Sequence, residues 1–381
     1  MKRVLIVTTV SGFVPQFEMN NVRILQEMGY EVHYASNFKN PHYGKDNHRL
    51  GGTGIVCHQV DFVRSPFRLI RNMRAYVQIR KLMRENQFQM VHCHTPMGGV
   101  LARLGARKYR RTGTKVLYTA HGFHFYKGAP VFNWLFYYPV EWLLARWTDV
   151  LITINEEDYQ RAKRFPLPEN GRVEKVNGVG IDIEAYRDIK VNREEKRREL
   201  GIPSEKRLMV SVGELNRNKN HRLIIGMLRK VKNADLMYLI IGEGKLEKKL
   251  FTEVKRDGLE KQVKILGYRA DVKEILDVSD IFVLPSKREG LPVAMMEAMA
   301  MKLPVLCTDI RGNCDLIDEG KGGYLINQNN SYLWKNRLQA LIDSPAQNLE
   351  RMGYYNYWKI QELFSNENVE REMRRIYAYW N

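Results

Sequence analysis

The sequence contains few cysteines, and their spacing suggests neither a disulfide framework nor a structural zinc site. Among 381 residues there are only Cys57, Cys93, Cys307 and Cys314, and no Cys-x-x-Cys pair is present. Scattered thiols of this kind are typical of proteins in a reducing compartment. We therefore expect a cytoplasmic protein.

Long apolar runs are also lacking. No segment reaches the roughly 18 consecutive apolar residues that a membrane-spanning helix needs. The apolar segment 4–10 contains Thr8 and Thr9, has no small-residue cleavage site and leads to Gly12, which is typical of a first buried strand rather than a signal peptide. We expect any membrane association to be peripheral, at the inner face of the cell membrane.

Acidic residues are outnumbered by basic ones. Asp and Glu total 43 against 61 Lys and Arg, which gives a formal net charge of +18. This excess favours anionic partners: phosphorylated small molecules, an anionic membrane surface or nucleic acid. No zinc-finger or RNP motif is present and the basic residues are scattered, so we expect no nucleic-acid partner. A basic nucleic-acid-binding protein is nevertheless kept as an alternative to an enzyme.

Apolar runs of strand length alternate with helical patterns along the whole chain. Segment 4–7 is a continuous apolar strand of the kind that parallel sheets bury on both faces, and segments 31–35, 115–119, 207–212 and 236–241 are further predicted strands. The length suits two domains. A Pro- and Gly-containing break at 165–171 predicts a boundary, giving an N-terminal domain 1–170 and a second domain 171–355. No Gly-x-Gly-x-x-Gly follows the first strand, which argues against a dinucleotide site there.

The stretch 282–300 combines a strand, a loop and a helix. An apolar run ends in Pro285 and Ser286, and a strong helix-forming sequence starts at Pro292, which favours the first helical position. Backbone N–H groups at Gly290, Leu291, Val293 and Ala294 would then surround a helix N-terminus. Such an end attracts a phosphate through its free donors and its dipole.

Two acids flank this predicted phosphate site. Glu289 precedes the turn, and Glu297 lies about 7.5 Å along the helix from Pro292. Carboxylates at these points could accept hydrogen bonds from sugar hydroxyls, so the loop offers what a nucleotide-sugar requires. The alternative is that Glu289 is a solvated loop acid and Glu297 a surface acid of the helix.

The segment 64–84 predicts a basic amphipathic helix. It contains seven basic residues and no acid: Arg64, Arg68, Arg71, Arg74, Arg80, Lys81 and Arg84. Apolar residues recur near helical spacing among them. The segment either docks on a membrane surface, with Arg71 and Arg74 as contacts, or packs on the core with a solvated basic face.

Aromatic residues are concentrated between 123 and 147. Trp134 is one of them, and Lys127 accompanies them with few acids. Aromatic rings with one apolar and one polar end favour a bilayer interface. The competing interpretation is that they pack between the two halves of the protein.

Two strand ends in the N-terminal half carry histidines. In His92-Cys93-His94 the alternation of a strand turns both histidines to one face, but no third ligand lies nearby in sequence, so we expect no metal site. His94 is a candidate acceptor-site residue. His121 ends the strand that begins at Lys115 and is followed by Gly122.

The pair Glu289 and Glu297, with seven residues between them and Ala-Met-Ala after them, resembles the Glu-x7-Glu motif of the retaining family 4 glycosyltransferases of GT-B fold. The similarity extends along most of the chain and is greatest to the capsule and exopolysaccharide branch. It implies two Rossmann-like domains facing across a cleft, with a C-terminal helix, 356–381, that returns to the first domain.

The resemblance also implies an activity. It is the metal-independent transfer of a sugar, with an N-acetylhexosamine as our expectation, from a UDP-sugar to a glycan on a polyprenyl diphosphate, with retention at the anomeric carbon. Other GT-B-like enzymes, such as a sugar-nucleotide epimerase or a phosphorylase, are alternatives. No Asp-x-Asp motif follows a strand, so neither a divalent metal nor another cofactor is implied.

By the same resemblance, His121 faces the reacting carbon of the donor sugar and Gly12 belongs to a loop that closes the active site; the alternative for Gly12 is a plain turn glycine. Lys219 matches a lysine that contacts the donor phosphates. Glu214 stands where the family commonly has an arginine, and Arg217 is a candidate to replace it.

The remaining implied contacts belong to the donor. Glu289 would bind the hydroxyls of the sugar and Glu297 the ribose, while Tyr268 and Arg269 are candidates for contact with the nucleobase. The helix start at Gly290, Leu291, Pro292 and Val293 would bind the diphosphate.

Overall fold

The computed structural model describes residues 1–39, 41, 47–187, 189, 191–231 and 235–379. The chain forms two compact units, Met1–Gly180 with Asn366–Asn381, and Ile181–Ser365. Both changes of unit come ten residues after the expected positions at 170 and 355. The reason is local: one more strand of the first sheet follows the break at 165–171, and residues 356–364 continue a helix of the second unit.

The first unit contains a parallel sheet of seven strands in its described part, in the order β3-β2-β1-β4-β5-β6-β7. Its strands are β1 (Lys2–Val7), β2 (Tyr30–Ser36), β3 (Val56–Gln59), β4 (Met90–His94), β5 (Lys115–Ala120), β6 (Val150–Thr153) and β7 (Arg172–Lys175). Its helices before the second unit are α1 (Phe13–Phe17), α2 (Met19–Glu27), α3 (Leu69–Asn86), α4 (Pro96–Ala106), α5 (Val131–Ala145) and α6 (Glu156–Ala162).

The second unit contains a parallel sheet of six described strands in the order β10-β9-β8-β11-β12-β13. The strands are β8 (Arg207–Val212), β9 (Leu236–Ile241), β10 (Val263–Gly267), β11 (Ile281–Leu284), β12 (Val305–Thr308) and β13 (Gly323–Ile326). The helices are α7 (Glu184–Arg187), α8 (Arg193–Glu199), α9 (His221–Val231), α10 (Glu247–Arg256), α11 (Val272–Asp277), α12 (Val293–Ala300), α13 (Asn313–Leu316), α14 (Ser331–Asp343) and α15 (Ala346–Phe364).

The α/β class expected from the sequence is confirmed in both units. The central strands are apolar and buried on both faces, as β9 and β11 illustrate, because helices cover each face of a parallel sheet. The edge strands β3 and β7 were not predicted. They consist of only four residues each, Val-Cys-His-Gln and Arg-Val-Glu-Lys, and carry no apolar run.

The C-terminal helix α16 (Asn366–Ala378) belongs to the first unit. Its buried face, which includes Val369, Met373 and Ile376, packs in the same core as the apolar residues of β1 and α2. The hydroxyl of Tyr377 lies 2.9 Å from Nδ1 of His92, inside β4. The last helix therefore helps to fix the strand that ends at the histidine-rich edge of the sheet.

No helix among the described residues is both long enough and apolar enough to cross a membrane.

Gly353 lets α15 approach the turn that follows α12. A Cβ at this position would lie 1.7 Å from the backbone oxygen of Lys302. We predict that Gly353→Ala lowers the free energy of unfolding by about 3 kcal/mol, since the overlap is with backbone and cannot be relieved by a rotamer change. Urea unfolding followed by circular dichroism measures the change.

Gly226 provides the matched control, because it also lies inside a helix but has open space around the position of a Cβ. Gly226→Ala should stabilise the protein by up to about 1 kcal/mol through helix propensity alone. Equal effects of the two substitutions would contradict the close approach at Gly353.

Candidate active site

The loop between β11 and α12 has free backbone donors. Pro292 is the N-cap of α12 rather than its first helical residue, so the helix starts one residue later than the sequence suggested. Among the hydrogen bonds of the described chain, none is donated by the backbone N–H groups of Gly290, Leu291, Val293 or Ala294. These amides at a helix N-terminus can bind an anion.

A lysine and a glutamate meet beside these amides. Nζ of Lys219, from the loop after β8, donates to Oε1 of Glu289 at 2.8 Å, and both side chains are largely buried. The two loops are joined by backbone contacts as well. The N–H of Lys287 donates to the carbonyl of Asn218 at 2.8 Å, and the side-chain amide of Asn218 donates to the carbonyl of Arg288 at 2.9 Å. The loops after the neighbouring strands β8 and β11 therefore form one structure.

Glu297 lies on α12 and accepts a hydrogen bond from the hydroxyl of Tyr186 at 3.0 Å. Burial raises the pKa of this carboxyl, while the Tyr186 hydroxyl and the ammonium of Lys273 act in the opposite direction. The side chain lines a cavity of about 720 Å³ together with Lys196, Lys273 and Asp271. Glu297 is thus not a solvated surface acid.

Arg311 and Gly312, which sequence reasoning did not single out, complete the loop. Nε of the buried Arg311 donates to the carbonyl oxygen of Glu289 at 3.2 Å. Gly312 has φ +79° and packs so closely that a Cβ would lie 2.2 Å from the carbonyl oxygen of Gly290. In the sequence, the only available signal was a glycine next to an arginine shortly after the predicted strand that ends at Thr308.

The other expected donor-site residues are less closely associated with Glu289. Arg217 is exposed and lines a cavity of about 470 Å³ with Lys249 and Lys287, a lining that does not include Lys219 or Glu289. Arg269 forms ion pairs with Asp271 and Glu199, so its guanidinium is already engaged.

Tyr268 is exposed after β10. The cavity beside Glu297 reaches this same loop, at Ala270 and Asp271.

In the first unit, three side chains converge at the carboxyl ends of the strands. Nδ1 of His94, the last residue of β4, lies 3.1 Å from Nε2 of His121, just after β5. Oε1 of Glu18, between α1 and α2, is 3.4 Å from the former atom and 3.7 Å from the latter. Glu18 was not identified from the sequence because it joins the histidines only through the fold.

Burial dominates the electrostatics of this cluster. It raises the pKa of Glu18 to about 8, opposed by the hydrogen bond from Asn21, and lowers the pKa of His121 to about 4. Neutral imidazoles can accept or donate hydrogen bonds to sugar hydroxyls. Phe13 packs edge-on against His121 with ring centroids 5.0 Å apart. Gly12, the N-cap of α1, directly precedes this ring.

The expected membrane-contact residues fall into two groups. Arg71 and Arg74 are exposed on α3, and Lys127 is exposed in the loop before α5. Trp134 differs: it is partly buried against the core, with the Arg161 guanidinium 4.5 Å from its ring. It therefore packs within the first unit, whereas the competing interpretation placed these aromatic residues between the two halves.

Both halves of the chain are similar in sequence to known glycosyltransferases. Residues 3–155 match the model "Glycosyl transferase 4-like", and residues 192–359 match "Glycosyl transferases group 1". A protein of Bacillus subtilis (strain 168), named as the glycosyltransferase EpsD, is 38% identical over 99% of this chain and 96% of its own length. The chain belongs to the group 1 glycosyl transferases. It is therefore a glycosyltransferase of a retaining, metal-independent family, as the sequence motif indicated.

Two further proteins are similar to this chain, one in sequence and one in fold. The UDP-Gal:alpha-D-GlcNAc-diphosphoundecaprenol alpha-1,3-galactosyltransferase of Escherichia coli is 29% identical over 74% of this chain and 73% of its own. The crystal structure of Anabaena HepE, in complex with UDP and glucose, superposes with a TM-score of 0.80 at 16% identity and covers both chains completely. The GT-B fold expected for this glycosyltransferase is thereby confirmed.

Glu297 should make the stability of this glycosyltransferase depend on pH. The pKa of this carboxyl is higher in the folded than in the unfolded state. Below the pKa of the unfolded state the carboxyl is protonated in both states, and no stability is lost. As the pH rises above that value, the unfolded state ionises first and folding loses stability. We predict that Glu297→Gln has a melting temperature a few degrees above wild type at about pH 8, with the difference vanishing near pH 4.

Tyr186→Phe is the companion variant. It removes the hydroxyl that favours the charged carboxylate, so its melting temperature should fall below that of wild type, most strongly at high pH. Differential scanning fluorimetry across this pH range measures both variants. A Glu297→Gln difference that does not change with pH would contradict the burial of an ionisable carboxyl.

Proposed function

We propose that this glycosyltransferase moves a sugar, an N-acetylhexosamine, from a UDP-sugar to a polyprenyl-diphosphate-linked acceptor in exopolysaccharide or capsule biosynthesis. The observation that carries the proposal is the pairing of Lys219 with Glu289 beside the free amides of 290–294. The similarity to EpsD supports sugar transfer, and the name of the E. coli galactosyltransferase supports a diphosphate-lipid acceptor. The UDP complex of the structurally similar HepE supports the donor.

The amides and Lys219 suit a departing diphosphate. Charge develops on the leaving oxygen as the glycosidic bond breaks, and donors aimed at it stabilise the transition state more than the ground state. Lys219 supplies a cation, and the amides of Gly290 and Leu291 supply preorganised dipoles. Arg311, held against the carbonyl of Glu289, fixes the loop that carries them.

The two acids of the motif would bind the polyol parts of the donor. Glu289 reaches the donor sugar's hydroxyls by exchanging its ion pair with Lys219 for hydrogen bonds from the sugar. Glu297, held by Tyr186 next to a cavity of about 720 Å³, accepts from the ribose. Both roles use a carboxylate as a hydrogen-bond acceptor rather than as a nucleophile.

Retention of configuration usually involves a carboxylate nucleophile on the far face of the sugar. We assign no residue to that role. Instead the acceptor hydroxyl attacks the face that the diphosphate leaves, and the leaving phosphate oxygen takes the acceptor proton. His121, a neutral imidazole at the end of β5, hydrogen-bonds a hydroxyl of the donor sugar beside the reacting carbon.

The amide contribution is tested by Gly312→Ala. The new methyl would overlap the carbonyl of Gly290, so the loop must move and its N–H groups lose their alignment. We predict that UDP binds at least about tenfold more weakly, corresponding to one charge-assisted hydrogen bond or more. Isothermal titration calorimetry with UDP, and with GDP and ADP for comparison, measures the affinity.

Gly320→Ala is the control for this experiment. Gly320 has nearly the same φ, +76°, but nothing within 4 Å of the position of a Cβ. Its variant carries the same backbone strain without the overlap, so UDP affinity should stay at the wild-type value. No binding of any nucleotide to the wild-type protein would contradict the proposed function, and consumption of the donor without an acceptor would favour the epimerase alternative.

The first unit has an apolar surface suited to a lipid-linked acceptor. On α3 the core-facing residues are Asn72, Ala75, Ile79 and Met83, but further large apolar side chains of this helix face solvent. Exposed apolar side chains of α3, of the loop before α3 and of α5 form a group that we call the apolar patch. Its members are Phe67, Leu69, Ile70, Met73, Val77, Val131, Phe132 and Leu135.

Basic residues accompany the apolar patch. Arg64, Arg68, Arg71 and Arg74 are exposed, and none forms an ion pair among the described residues. Phe67 contacts Phe136 of α5 with ring centroids 5.6 Å apart, so the α3 and α5 parts of the patch adjoin. Apolar side chains between unpaired cations suit an anionic bilayer surface, where a polyprenyl-linked acceptor would be found.

Leu69 and Ile70 are the most exposed members of the patch, at 75% and 85%. We predict that Leu69→Ser with Ile70→Ser weakens binding to vesicles containing phosphatidylglycerol by at least about tenfold, because two side chains no longer enter the bilayer interface. Co-sedimentation with vesicles of increasing anionic content measures the partition.

Phe251→Ser, on an exposed apolar residue of α10 in the second unit, is the matched control and should bind as wild type does. Arg71→Gln with Arg74→Gln should reduce binding to anionic but not to neutral vesicles, about fivefold for each charge. Vesicle binding that is unaffected by changes in the patch would contradict this docking surface.

A further inference from the structure

Glu18, His94 and His121 present one ligand atom each to a common point. The three atoms, Oε1, Nδ1 and Nε2, are separated by 3.1, 3.4 and 3.7 Å. In a tetrahedral zinc site with bonds of about 2.0–2.2 Å, neighbouring ligand atoms lie about 3.3–3.6 Å apart. The cluster therefore has the dimensions of one face of a tetrahedral metal site.

Hydrogen bonding alone accounts poorly for this arrangement. One histidine can donate to the other at 3.1 Å, but the Glu18 oxygen is 3.4 and 3.7 Å away, beyond the usual length of such bonds. The second oxygen of Glu18 accepts from the side-chain amide of Asn21 at 2.6 Å, which fixes the orientation of the carboxylate. The other ring nitrogen of His94, Nε2, has no hydrogen-bond partner in the described chain. It is not the proposed ligand atom, so it favours neither a hydrogen-bonded cluster nor a metal site.

In the part of the chain that the structure describes, no cationic side chain is paired with the buried Glu18. Glu18 is 2% exposed, and no lysine or arginine of the described chain forms an ion pair with it. A buried carboxyl without such a partner is either neutral, because it keeps its proton, or balanced by a cation such as a metal ion. Its neighbour His92 is not available as a ligand, since its two ring nitrogens contact Tyr377 and Thr119 at 2.9 and 2.8 Å.

The ligand set indicates which ions fit. Two imidazoles and one carboxylate suit Zn²⁺ and the neighbouring transition metals, whereas Mg²⁺ and Ca²⁺ prefer oxygen ligands. The His121 side chain is 23% exposed, so a fourth coordination position can face solvent. Sequence reasoning excluded a metal because no third ligand lay near His92 and His94, and the fold supplies that ligand from the α1–α2 junction.

We propose that Glu18, His94 and His121 bind one Zn²⁺ or chemically similar divalent transition-metal ion with a fourth position open to solvent. Transfer in this family needs no metal, so the ion is not a catalytic cofactor. It occupies the ring nitrogen of His121 and thereby competes with the sugar donor, which makes it an inhibitor. This second part rests on the proposed function.

The test uses the full-length protein after treatment with a chelator. Titration with Co²⁺ should produce visible d–d absorption at one equivalent, with micromolar or tighter affinity, and Zn²⁺ should abolish the absorption by displacement. Glu18→Gln and His94→Gln should each weaken Co²⁺ binding at least tenfold while their melting temperatures show that they fold. Absence of saturable Co²⁺ binding to the wild-type protein would overturn the proposal.

His58→Gln is the control, because His33 and His58 form a second histidine pair, 2.8 Å apart and close to Glu31. This variant should bind Co²⁺ as wild type does. Loss of the absorption in His58→Gln but not in Glu18→Gln would place the metal at that pair and overturn the assignment.

UDP calorimetry on the same preparations separates the metal site from the proposed function. Co²⁺ binding without UDP binding would support the metal site and contradict the transferase proposal. UDP binding without Co²⁺ binding would support the transferase proposal and contradict the metal site. Transfer that one equivalent of Zn²⁺ leaves unchanged would overturn the inhibitory role.

Discussion

The parallel arrangement of every described strand pairing is the constraint on which both candidate sites depend. Parallel strands require a crossover after each strand, so all carboxyl ends meet at one edge of a sheet. Residues distant in sequence are thereby brought together. Lys219 follows β8 and Glu289 follows β11, which pair directly. His94 ends β4, and His121 follows its partner strand β5. Each set of polar side chains is held by loops on a rigid sheet.

The sequence predicted the strands, the break near 170 and the Glu289–Glu297 loop because these signals are local. Continuous apolar runs identify buried strands, and Pro292 identifies a helix start to within one residue. Edge strands such as β7 could not be predicted in this way. Backbone groups on one edge of such a strand can hydrogen-bond to water, so the strand needs no apolar run. Glu18, Tyr186 and Arg311 escaped it too, because each joins its site through contacts that depend on the folded chain.

Each unit buries a carboxyl group at its own candidate site. Burial of a charged carboxylate is unfavourable unless partners offset the charge. Glu297 has a hydroxyl donor, Tyr186, and Glu18 has an amide donor, Asn21, but neither forms an ion pair with a lysine or arginine among the described residues. A fold selected only for stability would replace such groups by apolar ones. Their retention next to a cavity or an exposed histidine is what a ligand that completes the hydrogen-bonding or charge balance would explain.

Apolar side chains lie on both the buried and the exposed face of α3. Helical spacing predicted an amphipathic helix but could not tell which face meets the core, because apolar residues occur on both sides. Besides Ile79 and Met83, the core face includes the small Ala75 and the polar Asn72, whose amide donates to the carbonyl of Ser65 at 3.1 Å. Leu69, Ile70 and Met73 are large apolar residues too, yet they remain in water beside arginines. Leaving such side chains exposed is unfavourable in solution by about 25 cal/mol per Å², so this helix is better suited to an apolar, anionic surface than to water on its outer face.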